Sequence, residues 1–180
     1  RLDKAEGVIF TNWKTGMFNE ECDYIFGQDF GFSVDPTVLL KAAISKDLKK
    51  IWVKTMYCKP GMATKEIGES NRRYANEDLI ICDSAEPRLI KELQEYCNIK
   101  PTIKRQGSIL TGIALLQDYD LIVDPSSSEL IKELNNYVWH ERNKKPISKF
   151  DHHIDSLRYC TQYFLANSNK GVYVIRFFFF

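Results

Sequence analysis

The segment 151–155, Asp-His-His-Ile-Asp, brings two carboxylates and two imidazoles together within five residues. In a helix, side chains three or four positions apart lie on one face, so Asp151, His152 and Asp155 share a face while His153 points elsewhere. Carboxylate oxygens and an imidazole nitrogen are ligands for divalent cations. The segment is therefore a candidate metal-binding face at the start of a helix.

Two further acids stand where an isolated charge is costly. Asp29 lies in an apolar strand candidate, and a carboxylate buried there must protonate or find a cation. Asp83 ends the apolar segment 79–83, and open α/β sheets place ligand sites at the carboxyl ends of parallel strands. If these acids met Asp155 at one sheet edge, they would repel each other unless a divalent cation neutralised them. Oxygen ligands suit Mg²⁺ or Mn²⁺, and one imidazole favours Mn²⁺ slightly.

Each acid also has an ordinary structural interpretation. Asp29, next to glycines, suits a turn, and Asp83 suits a cap for the helix that follows it. Asp151 suits an N-cap, and Asp155 suits a solvated ion pair with Arg158, three residues on. Only the joint arrangement of the acids favours the metal-binding interpretation.

The hydrophobic pattern indicates the elements that must position these acids. Three strand candidates follow one another closely, at 24–33, 36–45 and 49–59. Helices and short apolar strands then alternate, with helices predicted at 64–76, 87–97, 107–119, 127–139 and about 150–166, and strands at 79–83, 99–105 and 120–124. This order predicts an α/β fold: a mixed central sheet, made of a three-strand antiparallel meander plus parallel strands, flanked by helices.

Composition limits the class of protein. A chain of 180 residues with 44% hydrophobic content predicts one domain at 23–180, preceded by a linker or lead-in segment at 1–22. Lys and Arg number 25 against 24 acids, so any basic surface must be local. The five cysteines are scattered without a C-x-x-C pair, which argues against a zinc knuckle or a disulfide framework and favours a reducing cytosol. No apolar run reaches membrane-spanning length and no signal-peptide pattern is present, so no membrane partner is expected.

Four sequence blocks, in order, resemble the nuclease domain of the large terminase subunit of tailed bacteriophages. They are FGQDFGFSVDPT, ICDSAEPRLIKEL, KRQGSILTGI and DHHIDSLRY, and they extend from residue 26 to residue 159. The combination of G-x-D-x-G-F-x-x-D-P-T with D-S-A-E-P makes the resemblance specific. Ser156 replaces the alanine usual in the last block, a small change.

The resemblance implies a ribonuclease H-like fold and a role for each candidate residue. Asp29, Asp83 and Asp155 correspond to the catalytic, metal-binding acids, with His152 as a further metal ligand and Asp151 as an auxiliary one. Lys104 and Arg105 are implied to contact DNA phosphates, although a solvated polar turn is the alternative.

The implied function is that of a metal-dependent endonuclease cutting double-stranded DNA with little sequence specificity, the concatemer-cutting activity of a viral packaging terminase. Two Mg²⁺ or Mn²⁺ ions are implied, as are the portal protein and the small terminase subunit as partners, and the cytoplasm of the bacterial host as location. No G-x-x-x-x-G-K-[ST] loop is present, so this domain is not expected to hydrolyse ATP, and the N-terminal ATPase motor is expected to be absent from it.

Two alternatives stay open at this point. A Holliday-junction resolvase, a transposase or a ribonuclease H of the same fold would use similar acids on another substrate. A non-catalytic portal-docking module would leave the acids incidental and could use exposed aromatic residues, including the four terminal phenylalanines at 177–180, as contact surface.

Overall fold

A seven-stranded mixed sheet forms the centre of the computed structural model, which describes residues 7–147 and 149–168. In chain order the strands are β1 (Trp13–Thr15), β2 (Asp23–Asp29), β3 (Pro36–Ile44), β4 (Lys50–Pro60), β5 (Ile80–Cys82), β6 (Ile99–Pro101) and β7 (Asp120–Val123). Across the sheet they lie in the order β1-β7-β4-β3-β2-β5-β6. β3 runs antiparallel to β2 and β4, and the other neighbouring strands are parallel. The predicted meander and mixed sheet are confirmed.

Five helices lie within the described residues: α1 (Thr64–Ala75), α2 (Pro87–Leu93), α3 (Ser108–Gln117), α4 (Ser128–Asn136) and α5 (His152–Ser168). Two of them, α2 and α4, end three or more residues earlier than the sequence predicts. The chain leaves α2 after Leu93 and turns, because Ile99 must reach its parallel partner Ile80 in β5. After α4 the chain becomes extended, and Val138 forms a bridge with Val8.

The sheet separates two apolar layers, because successive residues of a strand point to opposite faces. On one face, α3, α4 and α5 cover strand residues such as Leu40 and Ile81. On the other face, α1 and α2 cover Leu39 and Ile80. Among the described helices, none combines the length and apolar composition that crossing a bilayer requires.

The lead-in segment packs as part of the sheet where it is described. β1 pairs in parallel with β7, and Phe10, ahead of β1, is buried in the larger apolar layer. The described residues of segment 1–22 therefore contribute a strand to the sheet. Part of the tail sequence, including the phenylalanines at 177–180, lies outside the described residues.

Candidate active site

Asp29 and Asp83 lie side by side at the carboxyl ends of two parallel strands. Gln28 in β2 pairs with Cys82 in β5, and Asp29 and Asp83 are the next residues along each strand. The backbone N–H of Asp83 donates to the carbonyl of Gln28 at 3.1 Å, which continues the strand pairing past the end of β5. Asp29 is only 7% exposed. The register of β2 and β5 therefore brings these two acids together at the carboxyl ends of the strands.

Helix α5 approaches the same sheet edge because Gly27 has no side chain. A Cβ atom on Gly27 would lie 2.1 Å from the carbonyl oxygen of Ser156, so any larger residue would push the helix away. The close approach brings the first turn of α5 over the end of β2. There, His152 Nδ1 lies 2.8 Å from Asp29 Oδ2, and His152 Nε2 lies 3.9 Å from Asp35 Oδ1.

The acids share one electrostatic environment. Burial raises the pKa of Asp29, and the charges of Asp155 and Asp83 raise it further, against the opposing hydrogen bond from His152. Burial likewise raises the pKa of Asp155, and burial together with the charge of Asp155 raises the pKa of Asp151 to about 6. A pKa raised by neighbouring carboxylates means that negative charge is concentrated here and needs a counter-charge.

Basic side chains of the protein lie against these carboxyl groups in the structure. His152 contacts Asp29, and this hydrogen bond raises the pKa of the His152 imidazole. Lys104 Nζ lies 2.5 Å from Asp83 Oδ1, and its side chain is 49% exposed.

Besides the pairs His152–Asp29 and Lys104–Asp83, a third pair of a basic and an acidic side chain joins Arg158 Nη2 to Asp155 Oδ1 at 3.0 Å. Within residues 7–147 and 149–168, no group of three or more His, Cys, Asp or Glu side chains is arranged to hold a metal ion. Asp29, Asp83 and Asp155 therefore each contact a different basic side chain. Shared metal ligation by these acids stays a prediction.

The ordinary structural interpretations of Asp29 and Asp83 do not hold in the structure. Asp29 is the last residue of β2 and pairs with Val38, so it is not a turn residue. Asp83 accepts a hydrogen bond from the N–H of Ala85 at 3.3 Å, but α2 begins later, after Glu86, so Asp83 does not cap it.

On α5, two interpretations hold in part. Asp151 directly precedes the helix, and its carbonyl accepts the N–H of Asp155 at 2.7 Å, as expected of a capping position. Asp155 does pair with Arg158, yet Arg158 is only 4% exposed, so the pair is buried and not the solvated pair of that interpretation.

Arg105 is exposed beside Lys104, and its carbonyl accepts the N–H of Ser108 at the start of α3. Lys104 therefore lies next to Asp83, and Arg105 is its neighbour along the chain. Whether they contact DNA stays a prediction.

Two acids near the site escaped the sequence analysis. Asp35 lies in the loop between β2 and β3, 3.9 Å from His152, and it is the acid of the D-P-T segment that the sequence analysis quoted without giving it a role. Glu133 lies on α4 and binds the start of α5 through His153 and Ile154. A signal for Glu133 was present: it lies between Leu130 and Leu134, so an acid occupies the apolar face of an amphipathic helix.

The comparisons with known proteins agree with this architecture. A family model described as "Terminase RNAseH like domain" matches residues 29–162. The large terminase (g2p) nuclease domain of bacteriophage SPP1, solved with bound Mn, is 26% identical, with a TM-score of 0.75, over 86% of this chain and 98% of that one. The search of curated proteins found no match.

Two more distant solved structures share the fold. The P22 large terminase nuclease domain is 18% identical with a TM-score of 0.69, over 86% of this chain and 90% of that one. The large terminase nuclease of thermophilic phage G20c with bound magnesium is 15% identical with a TM-score of 0.59, over 88% of this chain and 98% of that one. Since the family model matches most of the chain and the solved nuclease domains share its mixed sheet, the chain belongs to the family of terminase ribonuclease H-like domains.

Proposed function

We propose that this domain is a metal-dependent endonuclease that cuts double-stranded DNA during viral DNA packaging. The observation that carries the proposal is the position of Asp29: it is buried at a strand end, and this burial, together with the charges of Asp155 and Asp83, raises its pKa. Acids from three separated segments are gathered at one edge of the sheet, where a purely structural role would favour fewer like charges.

The donor set fits a hard divalent cation. Carboxylate oxygens with one imidazole are ligands that Mg²⁺ and Mn²⁺ accept. Asp29, Asp83, Asp155 and His152 would hold the metal, with Asp151 as an auxiliary ligand, and two ions are proposed. When bound, divalent ions stabilise charge on the phosphate and lower the pKa of water. The SPP1 domain solved with Mn and the G20c nuclease solved with magnesium support this choice of metals.

The residues of the chain supply position and charge. The hydrogen bond between His152 and Asp29 orients the Asp29 carboxylate at the carboxyl end of β2. Lys104, which contacts Asp83, and its chain neighbour Arg105 are both exposed and suit contacts with DNA phosphates. Phosphate contacts carry no base information, so cleavage with little sequence preference and strong sensitivity to salt is expected.

The partners follow from membership in the family and belong to the same proposal. Double-stranded DNA is the substrate, the portal protein and the small terminase subunit are partners, and an ATPase motor domain of the large subunit moves the DNA. The cytoplasm of the bacterial host is the expected location.

The test is a cleavage assay with Mn²⁺, Mg²⁺ or EDTA on linear duplex, a four-way junction and an RNA–DNA hybrid. The unsubstituted protein should cut the duplex only with a divalent metal, and Asp29→Asn should abolish cutting. Asp118→Asn, which changes an exposed acid after the end of α3, is the matched control and should cut normally. Preference for the junction or the hybrid would favour the resolvase or ribonuclease H alternative, and absence of cutting on every substrate would favour a docking module.

A further inference from the structure

Glu133 of α4 is a buried acid that binds the beginning of another helix. Its side chain is 7% exposed, and its carboxylate oxygens accept the backbone N–H of His153 at 2.9 and 3.0 Å and that of Ile154 at 3.0 Å. The same carboxylate contacts His153 Nδ1 at 2.7 Å. One acid thus satisfies three donors in the first turn of α5.

The first N–H groups of a helix have no partner within the helix, and a neighbouring side chain usually caps them. Here the cap comes from a residue 20 positions earlier, on a different helix. A local cap would satisfy the same N–H groups without burying an acid in an apolar layer. The long-range cap does more than a local one, because it also fixes where α5 begins relative to α4.

The residues fixed in this way neighbour the candidate active site. His153 faces Glu133, while His152, the preceding residue, faces Asp29 at 2.8 Å. Asp155 follows within the same turn. The first turn of α5 is therefore held on one side by Glu133 and presents its candidate metal ligands on another side.

We infer that Glu133 is a positioning residue for the active site: it clamps the first turn of α5, and the clamp sets the distance of His152 and Asp155 from Asp29 and Asp83. The inference rests on the proposed function. The clamp itself does not touch DNA or metal. It acts through helix position, in the way that partners of metal ligands orient them elsewhere in proteins.

The test compares Glu133→Ala and Glu133→Gln with Ile90→Ala, which removes a buried side chain from α2 on the opposite face of the sheet. Temperature is chosen so that all variants are folded. Amide hydrogen exchange is measured on the metal-free proteins, Mn²⁺ affinity is measured by calorimetry, and kcat and KM are measured for cleavage of linear duplex.

Glu133→Ala should lose exchange protection in the first turn of α5. Its Mn²⁺ affinity and its kcat should each fall by about 10–100-fold, as for other residues that orient metal ligands, while KM for DNA stays within about twofold. Glu133→Gln keeps an acceptor oxygen and should lie between Glu133→Ala and the unsubstituted protein. Ile90→Ala should lose stability and keep both Mn²⁺ affinity and kcat.

Two failures are distinguishable. If the unsubstituted protein binds Mn²⁺ and cuts DNA, but Glu133→Ala matches Ile90→Ala in both properties, the inference is overturned and the proposed function stands. If the unsubstituted protein neither binds Mn²⁺ nor cuts DNA, the proposed function is overturned, and the inference with it. Should Glu133→Ala fail to fold, Glu133→Gln decides by the same comparison.

Discussion

The ammonium group of Lys104 lies 2.5 Å from Asp83 Oδ1, at the sheet edge where the acids gather. The same group lies 5.8 Å from the centre of the Tyr159 ring, so two contacts hold it near the site. A metal ion that used Asp83 as a ligand would compete with this ammonium for the same carboxylate. A phosphate that drew Lys104 away would remove the competition.

Replacement of Lys104 by methionine should strengthen metal binding and weaken DNA binding. The lost pair is half-exposed, and such pairs contribute about 0.2–1 kcal/mol, so Mn²⁺ affinity should rise by at most about fivefold. Calorimetry with Mn²⁺ and a DNA-binding titration at several salt concentrations measure the two effects. Lys100→Met, at an exposed lysine of β6, is the matched control. Weaker Mn²⁺ binding by Lys104→Met would show that the ammonium supports the site instead of competing for it.

Replacement of Asp29 by asparagine should leave the metal-free fold intact while it removes Mn²⁺ binding. Burial raises the pKa of Asp29, so its ionised form is unfavourable in the fold, and asparagine keeps an oxygen that can accept from His152. The thermal midpoint, measured in EDTA, should stay within about 4 °C of the unsubstituted value or rise above it. Asp29→Ala also removes the acceptor and should be the less stable of the two variants. A large fall for Asp29→Asn would instead indicate a structural ion pair.

Replacement of Gly112 by alanine should destabilise the protein by displacing Arg158. A Cβ atom on Gly112 would lie 2.3 Å from Arg158 Cγ, and Arg158 is buried. Overpacking of this kind costs about 1–3 kcal/mol, more than the gain of about 0.5–1 kcal/mol that alanine brings to a helix. Urea unfolding measures the difference, and Thr111→Ala, at an exposed position of the same helix, is the control. An equal or higher stability of Gly112→Ala would mean that Arg158 moves without cost.

Replacement of Asp151 by asparagine should change how the stability of the metal-free protein depends on pH. Burial and the charge of Asp155 raise the pKa of Asp151 to about 6 from an ordinary value of 3.8. A raised pKa means that the folded state holds the Asp151 proton more tightly than the unfolded state does. Protonation of Asp151 therefore stabilises the fold. This contribution to the free energy of unfolding is complete below about pH 3.8 and is lost as pH rises through about 6. Asp151→Asn should therefore be the more stable protein at about pH 7.5, and the gap should narrow towards about pH 5. Thermal unfolding in EDTA at both pH values checks this, and a gap independent of pH would contradict it.

Local sequence predicted that Asp83 ends an apolar strand, the position where open α/β sheets place ligand sites. It placed Asp29 inside the strand candidate 24–33, whereas β2 ends at Asp29. The spacing of His152 and Asp155 likewise fixed their shared face once a helix was assumed. These are properties of strand and helix geometry, so they could be derived without knowing the packing.

The partners of these residues depend on tertiary packing and could not be predicted in the same way. The cap that Glu133 places on α5 joins two helices, and the contact of Lys104 with Asp83 joins a loop to a strand end. The end of α2 after Leu93 is set by the pairing of β6 with β5. No periodicity in the sequence records such contacts, because they join segments that are separate in the chain.

The packing of α5 against Gly27 has a consequence for the protein during its synthesis. The strands that carry Asp29 and Asp83 leave the ribosome before α5 does, so a nascent chain has two of the acids but lacks His152 and Asp155. The full constellation exists only after the late helix has emerged and settled on the sheet. A nascent chain therefore carries only part of the set of candidate ligands until α5 has been synthesised.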